Sequence, residues 1–132
     1  MTPRTPDVVE RFESCALGPG AFGHREHLLV AWTYLRDAPF EDAAQRFARN
    51  LKRFASHHGA ARKYHATITW AFLALLAEAM DESPSLDFDA LVAMHPNLLD
   101  ARAQLAALYD RETLESERAR RIPLLPARRS EL

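Results

Sequence analysis

The sequence contains little cysteine and no long apolar run, and both shortages narrow the possibilities. Cys15 is the only cysteine among 132 residues, so no intrachain disulfide can form, and a single thiol suits a reducing compartment. The longest apolar run, residues 70–77, is far shorter than the roughly 20 residues that span a bilayer. Residues 1–15 are polar and acidic and do not resemble a secretory signal. We therefore expect a cytoplasmic protein.

The chain also lacks an excess of charge of either sign. Its 17 basic and 18 acidic side chains give a formal net charge of -1, which provides no overall attraction to nucleic acid or to an anionic membrane. The basic clusters within residues 46–53 and 118–129 contain one aromatic residue, Phe47, which falls on the opposite, apolar face of its predicted helix. Neither cluster therefore combines basic and aromatic side chains on one face, as a nucleic-acid surface would. We expect neither nucleic acid nor membrane as a partner. Lysine is scarce and arginine abundant, a bias associated with GC-rich bacterial genomes.

Helical periodicity of the apolar residues is the dominant pattern that remains. Apolar residues make up 48% of the chain, enough for one domain with its own core. Strand-like alternation between turn signals is missing. We predict an all-α, single-domain bundle of four to five helices around a buried central helix at residues 64–81. The bundle domain is residues 1–121, and residues 122–132 form an irregular, extended C-terminal tail. The surrounding helices are predicted at residues 7–15, 24–37, 39–58 and about 100–109, with a brief helical segment at 88–94 and a charge-rich helical segment at 111–121.

Three histidines lie on otherwise apolar helix faces. His24 and His27 are three residues apart at the start of the second predicted helix, and His65 lies at the start of the central one. If these two helix starts meet at one end of the bundle, the three imidazoles converge. Three neutral imidazoles would bind a divalent transition metal (zinc, copper, iron or nickel) and leave a fourth position for water or a small-molecule substrate. The predicted metal ligands are thus His24, His27 and His65.

Other polar residues could support such a site. A buried metal-ligating histidine normally needs a hydrogen-bond partner for its second nitrogen. The candidates for this role are Glu26, Tyr64, Thr67 and Asp100. Arg62 and Lys63 are candidates for binding an anion at the mouth of the bundle. The remaining histidines receive mainly structural interpretations. His57 and His58 are predicted to form the C-terminal cap of the third helix, with metal ligation as the lesser alternative, and His95 to be an exposed turn residue.

The histidine segments resemble those of a known family. Phe22-Gly-His24-Arg-Glu-His27-Leu28, followed by Ala31-Trp32 and by Lys63-Tyr64-His65-x-Thr67, resembles a family of small, uncharacterised bacterial helical proteins. The likeness extends through Pro96–Asp100 to Leu108-Tyr109. It implies that the histidines belong to a shared site, and it implies no reaction. The family pattern has a glutamate after the third histidine, where this chain has Ala66.

Three functions are compatible with these residues. The first is a metal-binding helical protein with a three-histidine site, including a metal-dependent enzyme that acts on a small molecule. The second is a non-catalytic helical adaptor or ligand-binding module with structural histidines, whose residues 122–132 dock on a partner; a homo-oligomer fits this function. The third is a metal-free acid–base enzyme that uses His65 with a nearby carboxylate or tyrosine.

Overall fold

The computed structural model describes residues 6–126, and over this range the chain is a single all-α domain, as predicted. Three short 3-10 turns, at Pro19–Ala21, Ala61–Lys63 and Pro96–Leu99, connect the α-helices. The predicted positions 127–132 of the C-terminal tail lie outside the described residues. The α-helices are α1 (Asp7–Glu13), α2 (His24–Asp37), α3 (Phe40–His57), α4 (Ala66–Glu82), α5 (Phe88–Met94), α6 (Ala101–Leu108), α7 (Arg111–Glu115) and α8 (Glu117–Arg121).

Helices α1 to α4 surround an aromatic core. Phe12 of α1 is completely buried, and its ring lies 4.6 Å from the ring of Phe22 and 5.3 Å from that of Phe54. Burial runs continuously along residues 30–34 of α2, as in a helix that is covered on most sides. In α4, by contrast, Trp70 and Phe72 remain half-buried. The core is therefore shared between α2 and α4, whereas the sequence pattern assigned the central position to α4 alone.

Polar side chains link α1 to α2 and α3 through hydrogen bonds at the edge of this core. The Tyr34 hydroxyl donates to Glu13 Oε2 at 2.5 Å, and Arg46 pairs with the same oxygen at 2.7 Å. Asn50 donates to the Tyr34 hydroxyl at 3.1 Å. Burial, reinforced by the Glu13 carboxylate, raises the pKa of the Tyr34 phenol, which therefore stays protonated and keeps donating.

Several helix ends differ from the prediction by one or two residues, and α1 ends at Glu13 rather than at residue 15. Side-chain capping explains the start of α4 and the division of the predicted helix 111–121. Helix α4 begins at Ala66, because His65 has extended backbone and its ring accepts the Ile68 N–H as an N-cap. The predicted helix 111–121 is two helices, because Ser116 breaks it and caps the second one by accepting the Ala119 N–H at 3.1 Å.

The first residues of the predicted tail lie on the bundle. The Thr67 hydroxyl donates to the Ile122 carbonyl at 2.9 Å and accepts the Leu124 N–H at 3.0 Å. The Tyr109 hydroxyl donates to the Leu124 carbonyl at 2.8 Å. Residues 122–124 are thus held by two side chains of the bundle domain.

Within residues 6–126, every helix is too short or too polar to cross a membrane.

Candidate functional site

A cavity of about 340 Å³ lies between α2, α3 and α4, at the end of the bundle where α2 and α4 begin. Most of its lining is apolar and much of that is aromatic, with Phe22, Phe54 and Phe72 among the lining residues. Small side chains on its wall, Ala31 and Ala55, leave room between these larger ones. The polar part of the lining is dominated by histidine.

The structure brings all three predicted histidines to this cavity. His24, His27 and His65 line it together, as expected from two helix starts that meet. A fourth histidine, His58, lines it as well. The four rings differ in their hydrogen bonds, and these bonds decide what each ring can do.

His65 uses both of its ring nitrogens within the protein. Its Nδ1 accepts the Ile68 N–H at 3.1 Å, and its Nε2 lies 2.7 Å from the Leu114 carbonyl oxygen. Because a carbonyl only accepts, Nε2 carries the proton of a neutral ring and donates it. The ring therefore joins the start of α4 to α7 and retains no lone pair for a metal ion or for a reacting proton.

His24 is the first residue of α2, and only one of its two ring nitrogens has a hydrogen-bond partner among the described residues. Its Nε2 donates to the Leu98 carbonyl oxygen at 2.8 Å, which leaves Nδ1 as the lone-pair nitrogen of a neutral ring. The ring packs beside Phe72, with centroids 5.0 Å apart. His24 thus links α2 to the 3-10 turn Pro96–Leu99.

His27 is held in its neutral form. Its ring lies against Phe22, with centroids 4.0 Å apart. The pKa of His27 is lowered from 6.5 to about 4, mainly by burial and to a smaller extent by the neighbouring His24, while Glu26 opposes the shift. At neutral pH, His27 therefore presents an uncharged imidazole to the cavity.

His58 is the site residue that sequence reasoning did not select. It is the C-cap of α3, as predicted, and its ring packs on Phe54 at 4.6 Å. Its Nε2 is buried and has no hydrogen-bond partner among the described residues. One signal was present in the sequence: His58 follows Phe54 by four residues and so shares its helix face.

Three of the four predicted supporting residues bond elsewhere. Glu26 accepts the Gly23 N–H at 2.9 Å and caps α2. Asp100 accepts the Ala103 N–H at 3.3 Å and caps α6. Thr67 holds the segment 122–124 described above. These side chains stabilise helix ends and a chain segment, whereas His24 and His65 bond to backbone groups instead, namely two carbonyls and the Ile68 N–H.

The fourth supporting candidate, Tyr64, and one of the anion-binding candidates lie at the cavity. Tyr64 and Lys63 both belong to its lining, and the ammonium group of Lys52 sits 5.0 Å from the centre of the Tyr64 ring. Burial raises the pKa of Tyr64, so its phenol stays protonated. Arg62 is exposed, and its carbonyl accepts from Arg120 at 2.9 Å. Lys63 is therefore the cationic residue that borders the cavity.

The remaining histidine and the cysteine lie away from this site. His95 is half-buried rather than exposed, and its Nε2 lies 3.3 Å from the Ser83 hydroxyl oxygen. Cys15 is buried at the turn that follows α1.

Among residues 6–126, His, Cys, Asp and Glu side chains do not gather in threes as a metal-ligand set. Comparison with protein-family models, curated proteins and solved structures found no match for this chain. The resemblance to a bacterial helical family therefore stays a prediction, as does the three-histidine metal site.

Proposed function

We propose that this chain is a ligand-binding helical module that takes a small, largely apolar molecule into the cavity between α2, α3 and α4. The observation that carries the proposal is the cavity itself: about 340 Å³, mostly apolar walls and a few polar groups at one end. Binding sites for small molecules have this character, being concave, mainly hydrophobic and supplied with few polar groups that orient the ligand.

The hydrogen bonds of the histidines support this function over an acid–base reaction. His65 has both nitrogens engaged, and His24 has one engaged with a backbone carbonyl. A general base needs a lone pair within reach of the substrate, and His65 would first have to give up its N-cap bond to Ile68. These two rings shape the walls of the cavity, as structural histidines do.

A pair of matched variants tests the proposal. Ala55 is a half-buried wall residue, so Ala55→Phe fills part of the cavity; the neighbouring Ser56 is exposed, so Ser56→Phe adds the same side chain outside it. The probe is N-phenyl-1-naphthylamine, a neutral dye that fluoresces on entering apolar sites. We expect Ala55→Phe to weaken binding by about tenfold or more, which is about 1.4 kcal/mol, and Ser56→Phe to leave it unchanged.

Circular dichroism and urea unfolding of both variants check that the fold is intact. Equal dye binding by the wild type and the two folded variants would contradict the proposal, because the dye would then bind outside the cavity.

Metal binding is a second candidate, favoured by the presence of His24, His27 and His65 around one cavity. In this geometry His24 offers Nδ1, whereas His65 must break a hydrogen bond to become a ligand. Metal analysis of untagged protein for zinc, copper, iron and nickel tests it, alongside His27→Ala and His65→Ala. Stoichiometric metal that is lost in both variants supports a metal site; traces that are the same in all three proteins contradict it.

A further inference from the structure

We propose that the ligand of this cavity is a medium-chain carboxylate of about ten to twelve carbon atoms, with its hydrocarbon chain inside the cavity and its carboxylate at the mouth beside Lys63. This inference rests on the function proposed above and specifies the shape, the size and the charge of the ligand. It follows from the position of the mouth, the form of the cavity and the charge around its open end.

The cavity opens beside the 3-10 turn that precedes α4. Lys63 is the only exposed residue of its lining within residues 6–126. Further along the lining, Ile68 is half-buried, and Leu73 and Leu76 are each only 1% exposed. The cavity is therefore open at its Lys63 end and closed at its Leu76 end.

The cavity is elongated. Its lining on α4 extends from Ile68 to Leu76, which is about 12 Å of helix, and lining residues that precede α4 add to this length. A spherical space of the same volume, about 340 Å³, would be only about 9 Å across. An extended hydrocarbon chain matches such a form better than a compact molecule does.

The volume sets the length of the chain. A cavity of about 150 Å³ holds benzene, which corresponds to about 25 Å³ for each carbon atom. At this ratio, a volume of about 340 Å³ holds about thirteen carbon atoms. A chain of about ten to twelve carbons, with its carboxylate at the mouth, therefore fills the cavity without crowding the closed end.

Positive charge surrounds the mouth. Residues 43–77, which form most of α3 and α4 and the turn between them, include six basic side chains and no acidic one, although the whole chain has a net charge of -1. Lys63 belongs to the lining, and the ammonium group of Lys52 lies 5.0 Å from the centre of the ring of Tyr64, another lining residue. Neither lysine forms an ion pair within residues 6–126. An anionic head group therefore meets cations at the open end that no carboxylate of the described chain neutralises.

The exposure of Lys63 lets the carboxylate keep part of its hydration. An ionised group among the apolar walls would lose its hydration at a high cost, whereas a head group beside an exposed lysine remains in contact with water. An exposed ion pair contributes up to about fivefold in affinity, and salt screens it. The chain therefore provides most of the affinity, and the charge at the mouth selects the head group.

Three probes with the same chain distinguish the head groups: decanoate (anionic), decan-1-ol (neutral) and decyltrimethylammonium (cationic). Their dissociation constants are measured at pH 7 by calorimetric titration of the full chain, at low and at high salt. At low salt we expect decanoate to bind about three- to fivefold more tightly than decan-1-ol, and at high salt this preference should disappear. Decyltrimethylammonium should bind most weakly, because its charge repels the lysines.

A series of carboxylates tests the size of the ligand. From octanoate to dodecanoate, each added methylene group should raise the affinity about fourfold, because each one buries more apolar surface. Hexadecanoate should bind no more tightly than dodecanoate, because its chain is too long for the closed cavity.

Two adjacent cations provide matched variants. Lys63→Gln removes the charge that borders the cavity, while Arg62→Gln removes an exposed charge outside the lining. The preference for decanoate over decan-1-ol should disappear in Lys63→Gln and largely persist in Arg62→Gln. In Lys63→Glu, decyltrimethylammonium should bind more tightly than decanoate. Both positions are exposed, so we expect intact folds, which circular dichroism checks.

The outcomes separate this inference from the proposed function. Equal affinity for decanoate and decan-1-ol at low salt, equal effects of Lys63→Gln and Arg62→Gln, or an affinity that continues to rise up to hexadecanoate each overturns the inference. In those cases the proposed function still stands if Ala55→Phe weakens binding of decan-1-ol. If none of these probes binds and Ala55→Phe leaves binding of the dye unchanged, both proposals are wrong.

Discussion

Lowering the pH from 7 to 5 should destabilise the fold through His27. Burial lowers the pKa of this residue from 6.5 to about 4, with His24 adding to the shift and Glu26 opposing it. The unfolded chain, with a histidine pKa near 6.5, takes up a proton between pH 7 and 5, while the folded chain does not. Because the unfolded state binds more protons, the free energy of unfolding falls as the pH falls.

The pKa difference sets the size of this effect. With pKa values of 6.5 and about 4, His27 accounts for a loss of about 2 kcal/mol on going from pH 7 to pH 5. The loss grows to about 3 kcal/mol near pH 4, where the folded state also begins to bind the proton. A loss of this size is a large part of the 5–15 kcal/mol that stabilises a typical domain.

Urea unfolding at pH 7, 6 and 5 measures this loss. In His27→Gln the neutral side chain cannot titrate, so the decrease in unfolding free energy should be smaller than in the wild type by about 2 kcal/mol at pH 5. His57→Gln is the control, since it removes an exposed histidine and should follow the wild type. If the wild type and His27→Gln lose the same stability, His27 is not held neutral by burial and the reasoning is refuted.

Three further substitutions test contacts that hold the fold. Tyr34→Phe removes the hydrogen bond to Glu13 and should lower the unfolding free energy by about 1–2 kcal/mol in urea. Thr67→Val removes two hydrogen bonds of the C-terminal segment, so exchange of the Leu124 amide hydrogen should speed up while global stability falls by about 1 kcal/mol. Phe12→Ala empties the centre of the aromatic core and should cost about 3–5 kcal/mol; a cost below about 1 kcal/mol would contradict its complete burial.

The fold class was predictable because the breaks between helices are local signals. The glycines and the proline of residues 17–23 separate α1 from α2, and α2 spans His24–Asp37 as predicted. The start of α4 shifts by two residues, because an imidazole as N-cap acceptor has no distinct sequence pattern. The division at Ser116 was not predicted, because serine favours N-caps but is also tolerated inside a helix, so a single serine does not by itself mark a boundary.

The location of the candidate site was predictable from the sequence, but the hydrogen bonds of its histidines were not. Histidines at two helix starts predicted one end of the bundle, and the structure places all three of them on a single cavity there. The carbonyls that accept from His24 and His65, however, belong to Leu98 and Leu114, which lie 74 and 49 residues away along the chain. Every residue has a carbonyl, so no side-chain pattern in the sequence marks the two that accept these bonds.

A metal ion bound to His65 would have to displace one of the hydrogen bonds that this ring makes within the fold. Its Nδ1 lone pair accepts the Ile68 N–H at the start of α4, and its Nε2–H is donated to Leu114. Coordination through Nδ1 would remove the cap of α4, and coordination through Nε2 would release α7, so part of the metal's binding energy would be spent on these losses. The cavity is therefore better suited to the proposed, largely apolar ligand, which leaves both hydrogen bonds of His65 in place, than to a cation bound through this ring.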